Sequence, residues 1–382
     1  MPLDPSVESV FRGNLSKILR IAEEKGLDAI ILSSESNIAY STGIRSPSGA
    51  AIVSDKCGNT LVVPLLDYYR IMALAPRGFD VYAAYRGAEE GLEADIPPSR
   101  LLRGGIVSAV HELIEKCGAK KIGADLSSIS YSLAKPLQEK FEQLVDVAGD
   151  IQKARSVKSD GELSLIGDAI RIAERAFEKI YYALSEGYTE ASAAGELIHA
   201  MLGLGAWGEA FPPIVAFYSN TAFPHHTPTQ LVLGRPGPVL VDWGAISQGY
   251  RSDMTRTWWH GGAAPERFRS AIETVLEAHD EAIDTISAGV EAWEPDNAAR
   301  RVLSRAGLLK YFIHGLGHGV GVDIHEAPYL RPGAKTVLEP GMVVTVEPGV
   351  YINGAFGIRI ESMVLVTPRG ARVLTSTARI LP

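Results

Sequence analysis

Cysteine is scarce in this 382-residue chain, which carries only Cys57 and Cys117. Two are too few for a disulfide framework and their spacing fits no metal site. They read as reduced or buried thiols of an intracellular protein. Long hydrophobic runs are missing as well. No stretch approaches the roughly 18 uninterrupted apolar residues of a membrane span. The opening MPLDPSVESVFRGN has no basic region followed by an apolar core, so no signal peptide is visible and a cytoplasmic location is expected. An excess of positive charge is also lacking. Lys+Arg number 37 against 45 Asp+Glu, a net charge of −8, which argues against nucleic-acid binding, since that needs cations to neutralise phosphates. Hydrophobic residues make up 46% and charged residues 21%, so the chain can bury a sizeable core and is not disordered. The length suits two domains.

The first part alternates strand and helix signals. Ser6–Lys25 has helical spacing and stops at Gly26; 27–34 is a short apolar run that reads as a buried strand. Residues 50–64 read as a hairpin, 79–85 and 120–126 as strands, and 104–117 and 131–145 as helices. Strands alternating with helices predict an α/β domain. The acidic stretch 86–101, with Pro97–Pro98, reads as an exposed loop. A polar stretch, 147–160, reads as the boundary, with domains at 1–153 and 154–382. Beyond it Ser159 and Glu162 form a capping box, and apolar residues at 163, 166, 170, 173, 177, 180 and 184 give the next helix one buried face. Further helices are expected over 190–204, 266–286 and from Asp296 to Gly307. β-like runs lie at 238–245, 251–259, 342–352 and 357–366. The second domain is therefore α+β.

Two of its hairpins carry one acid on each arm, Asp242 with Asp253 and Glu347 with Glu361. This repetition suggests an internal pseudo-twofold. Asp242 follows Val239-Leu240-Val241, and Glu347 follows Val343-Val344-Thr345-Val346. A charge in such a run is costly unless paired or bound to a cation. Five of the nine histidines fall in two groups, His225–His226 and His314, His318 and His325. Four acids and a histidine suit two divalent ions, which can activate water. No cysteine belongs to the set, which argues against a structural zinc. Each piece alone has a plainer reading. Asp242 could be an edge residue, Glu347 a strand end, and HGLGHGVG (314–321) could pass for a phosphate loop, although it lacks the lysine and the glycine spacing. His226 reads as a bystander; His111, His199, His260 and His279 read as surface or satisfied histidines; Glu273, Glu277 and Asp280 read as a solvated helix face.

Five stretches, in order, carry a resemblance: FPPIVAFYSNTAFPHH (211–226), VDWGAISQGYRSDMTRT (241–257), FIHGLGHGVGVDIHE (312–326), TVEPGVY (345–351) and RIES (359–362). The second part resembles the pita-bread metallopeptidases (M24), which include methionine aminopeptidases, Xaa-Pro aminopeptidases and prolidases. The first part resembles the creatinase/prolidase N-terminal domain, with LDAIILSSESNIAYSTG (27–43) as its first strand region. The resemblance implies a pita-bread catalytic domain and two metal ions, manganese or cobalt, with zinc and iron permitted by the ligand types. It implies Asp242, Asp253, His318, Glu347 and Glu361 as metal ligands, Asp253 and Glu361 bridging. Glu347 would accept the proton of the attacking water. His225, His314 and His325 would contact substrate and join Glu347 among the catalytic residues, and His314 would line the proline side. Arg359 would orient a ligand carboxylate or meet a substrate carboxylate. Tyr218 stands where a glycine is common and Ser362 where an aspartate is common; the first is expected to alter the pocket rim. Methionine enzymes generally lack the first domain, and creatinase works without metals, so the resemblance points to hydrolysis of Xaa-Pro bonds. The compact length and FIHGLGHGVG incline the reading to a proline dipeptidase. The alternatives are an Xaa-Pro aminopeptidase and a noncatalytic binding protein. A peptide with proline second is the implied partner, with no nucleic acid or membrane, and a homodimer is expected.

Overall fold

The computed structural model describes residues 4–76, 78–87, 95–141, 143–184, 187–379 and 381. The chain divides into two compact units, Met1–Arg155 and Ser156–Pro382.

The first unit contains, in chain order, α1 (Pro5–Lys25), β1 (Ala29–Leu32), α2 (Glu35–Thr42), β2 (Ala50–Val53), β3 (Asn59–Pro64), α3 (Tyr68–Leu74), β4 (Phe79–Tyr85), β5 (Leu101–Arg103), α4 (Gly105–Lys116), β6 (Lys121–Ala124), α5 (Tyr131–Lys140), β7 (Gln143–Asp146) and α6 (Ala148–Ser156). Its strands form one sheet in the order β5-β4-β3-β2-β1-β6-β7. β2 is antiparallel to both β1 and β3, and the remaining pairs are parallel. One face is closed by Ala109, Val110 and Ile114 of α4 and by Leu133 and Leu137 of α5, packed on Ala29, Ile31, Ile52 and Val62. α1 begins at Asp4, whose side chain accepts from Ser6 N, and ends at Gly26 in the left-handed conformation, the backbone state that glycine adopts without a Cβ penalty.

Three expectations change here. The helix expected over 131–145 ends at Lys140, and Leu144 and Val145 instead pair with Ile122 and Gly123; β-branched and apolar residues at a sheet edge gain more from pairing than from helix. The polar stretch 147–160 contains α6, whose Ile151 is buried while Arg155 Nη1 donates to Asn37 Oδ1 at 2.8 Å. Its polar residues have internal partners, which composition cannot reveal. Cys57 and Cys117 are disulfide-bonded, not reduced: the fold brings the β2–β3 turn and the end of α4 together. The expected exposed loop falls partly on 88–94, outside the described residues.

The second unit contains α7 (Asp160–Ala183), α8 (Glu190–Gly203), β8 (Gly208–Glu209), β9 (Ile214–Phe217), β10 (Gly237–Trp243), β11 (Ala245–Ser247), β12 (Tyr250–Arg251), β13 (Met254–His260), α9 (Glu266–Thr285), α10 (Trp293–Arg305), β14 (Gly317–Gly319), β15 (Glu326–Leu330), β16 (Val343–Val346), β17 (Gly349–Ile352), β18 (Phe356–Arg359), β19 (Ser362–Thr367) and β20 (Gly370–Val373). The capping box of α7 is formed by Ser159 and Glu162. The helix expected from Asp296 starts earlier, at Trp293, because Glu294 and Pro295 complete its first turn. Among the described residues no helix is long and apolar enough to cross a membrane.

Two bent hairpins organise this unit. β10 pairs with β13, but its continuation β11 pairs with β12 in a separate sheet. In the same way β16 pairs with β19, while β17 pairs with β18. Each hairpin therefore changes sheet partway along both arms. The four acids sit at those changes: Asp242 near the end of β10, Asp253 just before β13, Glu347 just after β16 and Glu361 just before β19. Behind β10, Trp243 stacks on Phe177 of α7 at 4.1 Å, and its Nε1 donates to Ala173 O. Behind the second hairpin, α9 and α10 share a core with Val344, Val346, Ile358 and Val364.

The glycines of 314–321 have a packing cause. A Cβ on Gly317 would lie 2.0 Å from Thr345 O, and one on Gly319 would lie 2.3 Å from Ala327 O. Gly317→Ala is expected to destabilise the second unit by about 3 kcal/mol. Gly195→Ala, in α8 with nothing near its missing Cβ, should be neutral or stabilising by about 0.5–1 kcal/mol. Both can be read from the denaturant midpoint of tryptophan fluorescence, since all five tryptophans lie beyond residue 200. Equal midpoints would refute the close-approach account.

Candidate metal centre and active-site cavity

The changes of sheet converge on a cavity of about 660 Å³, lined by Asp242, Asp253, Glu347, Glu361 and His318 among others. Strand pairing explains the convergence. Asp242 faces Thr255 across β10–β13, and Glu361 N donates to Thr255 O at 3.1 Å, which ties the second hairpin to the first. Val346 faces Ser362, so Glu347 and Glu361 lie on opposite arms at one level. Asp253 Oδ2 is 3.6 Å and Glu347 Oε1 3.3 Å from His318 Nε2. Asp253, His318 and Glu361 each present one ligand atom within 4.8 Å of the others and could hold a metal ion.

The polar groups around the acids are directional. His318 Nδ1 lies 3.1 Å from Gly319 O. A carbonyl only accepts, so Nδ1 carries the proton and Nε2 faces the acids. The backbone N–H of His318 donates to Thr345 Oγ1, which donates to Glu347 Oε1 at 3.2 Å. Arg359 spends its guanidinium on four partners: Asp242 Oδ2 at 2.5 Å, Tyr351 Oη at 2.7 Å, Thr255 Oγ1 at 3.0 Å and, more weakly, Pro224 O at 3.4 Å. Thr255 in turn donates to Glu361 Oε2 at 2.7 Å. One buried cation is thus hydrogen-bonded to one acid directly and to a second through a hydroxyl.

Charge shapes the proton affinities. Burial, followed by the neighbouring carboxylates, holds Asp253 and Glu361 well above the usual carboxylate range. Burial also raises Asp242, against the pull of Arg359. Glu347 is the exception: burial acts against its charge, but His318, His314 and Arg359 outweigh it and bring it down to about 2. Burial opposes protonation of His318, while Glu347 favours it and the net displacement is upward. Asp242 Oδ1 is buried with no hydrogen-bond partner. An orphaned oxygen beside three mutually repelling carboxylates, with an imidazole nitrogen facing the acids, fits divalent cations, which prefer this oxygen-rich donor set with nitrogen.

His225, His314 and His325 also line the cavity. His325 packs edge-on against His318, with centroids 4.3 Å apart, and burial, then His318, depresses its basicity. His314 has both nitrogens engaged: Nδ1 with Gly315 O at 2.7 Å and Nε2 with Tyr351 Oη at 3.0 Å. The first must be a donor, and burial depresses the basicity of His314, so the ring is a neutral wall of the cavity whose Nε2 accepts from Tyr351. His226 does not line the cavity; it is turned away and lies 2.8 Å from Glu190.

Tyr218 takes φ 55°, the left-handed state that accounts for glycine being common there. Its ring covers Gly237 and its Oη meets the backbone at 234–235, so it does not line the cavity. His111 and His279, expected as surface or satisfied, are buried with an unpartnered Nε2 each. Several partners are not visible in the sequence alone. Thr255, Thr345 and Tyr351 are ordinary strand residues in one dimension; the polar Thr345 amid apolar neighbours was the available signal. Lys158, in the polar boundary stretch, forms a buried ion pair of 2.8 Å with Glu326, next to His325. Arg331 lies exposed in the cavity lining.

A cavity built from buried carboxylates and histidine, in paired bent hairpins, defines a hydrolase of the metallopeptidase type. Residues 164–368 match the model of metallopeptidase family M24, and residues 14–157 match the creatinase/prolidase N-terminal domain. The chain belongs to metallopeptidase family M24 and is a metal-dependent peptidase that works with divalent metal ions. It is 32% identical over 375 residues to an Xaa-Pro dipeptidase of Pyrococcus horikoshii, covering 97% of this chain and 99% of the relative. Among solved structures it is similar to an Xaa-Pro dipeptidase from Bacillus anthracis, with TM-score 0.84, 29% identity and coverage of 97% and 100%. It is also similar to an X-Pro aminopeptidase from Thermotoga maritima, with TM-score 0.86, 26% identity and coverage of 96% and 99%.

The raised proton affinities of Asp253 and Glu361 set the sign of a pH effect. Without metal these groups hold protons above the usual carboxylate range, and a cation needs them ionised. Binding of Mn²⁺ to chelator-stripped protein is therefore expected to release protons and to tighten as pH rises through the raised values. Calorimetry in two buffers of different ionisation enthalpy checks this; identical heats would contradict it.

Proposed function

We propose that the chain hydrolyses the bond between an N-terminal residue and proline, and that its substrates are dipeptides. The near full-length likeness to Xaa-Pro dipeptidases carries the reading. The dipeptide preference is supported by Arg331, an exposed cation in the cavity lining. A dipeptide ends at the proline and brings a carboxylate into the cavity; a longer peptide does not. Arg359 is a poor receiver for it, since its three nitrogens are already engaged.

In this reading Asp242, Asp253, His318, Glu347 and Glu361 would hold two divalent ions, manganese or cobalt; zinc and iron also suit the ligand types. Bound divalent ions supply Lewis acidity and a water nucleophile at neutral pH. Glu347 accepts a proton from the attacking water and delivers it to the proline nitrogen. That nitrogen belongs to a tertiary amide and leaves as an amine only when protonated. His225 and His325 meet the scissile carbonyl and amide, where an N–H is most valuable as negative charge develops. We assign His314 to the wall on the proline side, and Arg359 to orienting Asp242 and, through Thr255, Glu361.

The likeness to an X-Pro aminopeptidase supports a second reading, cleavage of longer peptides. Side-by-side assays of Met-Pro and Met-Pro-Ala with Mn²⁺ decide. The dipeptide should be turned over faster, and Arg331→Ala should raise its KM about tenfold or more while changing the tripeptide little. Faster tripeptide cleavage would favour the second reading, and cleavage of neither would refute both. A homodimer and a cytoplasmic setting belong to the proposal. The Cys57–Cys117 disulfide weighs against the latter, because reducing compartments keep thiols open. Light scattering of the purified protein should give a dimer, and thiol labelling of protein trapped in cells tests the setting: blocked cysteines would overturn a cytoplasmic one.

A further inference from the structure

Glu190 is the first residue of α8 and is fully buried. A carboxylate without water is costly unless its lone pairs are filled, and here they are. Oε1 accepts from Phe217 N at 2.8 Å and Asn220 Nδ2 at 3.0 Å. Oε2 accepts from His226 Nε2 at 2.8 Å, Thr229 N at 3.0 Å and Thr229 Oγ1 at 2.6 Å. Burial opposes the charge, but Thr229, His226, Phe217 and Asn220 outweigh it, and Glu190 stays below the usual range.

The donors come from both ends of one segment, 217–229. Between them lie Pro224 and His225, which line the cavity. His226 carries the link: its ring points to Glu190, a turn bond joins His226 N to Phe223 O at 3.1 Å, and the adjoining His225 faces the cavity. The segment has further ties: Phe217 pairs with Val239 across β9–β10, and Ala191 N donates to Thr229 O at 2.9 Å. Pro224 O accepts from Arg359 Nη1 at 3.4 Å, and Thr221 Oγ1 accepts from Gly357 N at 2.8 Å.

We propose that Glu190 is a positioning residue, whose carboxylate clamps both ends of 217–229 and thereby holds His225 in register with the cavity. The proposal rests on the peptidase reading through His225. Glu190→Gln tests it with little change of shape, since it sets an amide N–H₂ against the donors of His226 and Thr229. Three measurements are needed: hydrogen exchange of 217–229, Mn²⁺ uptake, and kcat and KM on Met-Pro in the wild-type and His225→Ala backgrounds. Faster exchange confined to 217–229, unchanged Mn²⁺ uptake and a kcat loss of about 10–100-fold with a smaller change in KM are expected. In the His225→Ala background the same substitution should change kcat by no more than about twofold. Thr229→Val removes a single donor, should give a smaller loss in the same direction, and carries the test if Glu190→Gln does not fold. Unchanged exchange in 217–229 would overturn the clamp, and losses that multiply in the double variant would overturn its action through His225. Wild-type protein inactive on every Xaa-Pro substrate would defeat the functional reading alone, leaving the exchange result to decide the clamp.

Discussion

Four carboxylates brought together out of water repel one another, and much of the second unit answers to that repulsion. Asp242, Asp253, Glu347 and Glu361 are all in one cavity lining, and in the absence of a cation burial and mutual repulsion push three of them toward the protonated form. Such a cluster is a poor way to stabilise a fold. It makes sense as a site for cations, and the protein relieves the strain only in part. Arg359 supplies one buried positive charge and His318 a titratable one. The rest is left for divalent ions, which is what a metallopeptidase requires.

Holding the cluster open demands rigid surroundings. Each acid sits where a strand leaves one sheet for another, so its backbone is fixed on both sides by pairing. Gly317 and Gly319 let strands approach within distances that a side chain would forbid. Hydroxyl relays through Thr255 and Thr345 fix which oxygen of Glu361 and Glu347 is engaged. Further out, buried charges recur behind the histidines. Lys158 pairs with Glu326 behind His325, and Glu190 gathers five donors behind His225. Each of these buried charges involves a sequence neighbour of a cavity histidine, Glu326 next to His325 and the Glu190-bound His226 next to His225.

Much of this was legible in one dimension. Acids inside apolar β runs are anomalous without a partner, and their repetition at Asp242/Asp253 and Glu347/Glu361 marks the site before any fold is known. Helical spacing with a capping box located α7 to within a residue. Legibility failed where a partner lies far along the chain. His226 looked like a neighbour of His225 because Glu190 is distant in sequence. Lys158 looked like boundary charge because Glu326 is more distant still. Cys57 and Cys117 looked like two separate thiols because only the sheet brings their turns together.

The sequence by itself determined the chemical inventory: which acids and histidines are available, that no cysteine joins them, and that the strands carrying them are too apolar to hold a bare charge. Those properties are local, set by side-chain chemistry and by alternation along a strand. Only the tertiary structure decided how each group is used. It committed Arg359 to Asp242, Tyr351 and Thr255, made His314 a neutral wall, turned His226 away from the cavity and paired the cysteines. Each of these depends on distance between residues remote in the chain, and hydrogen bonds and ion pairs depend on such distances far more steeply than on anything a single strand or helix displays.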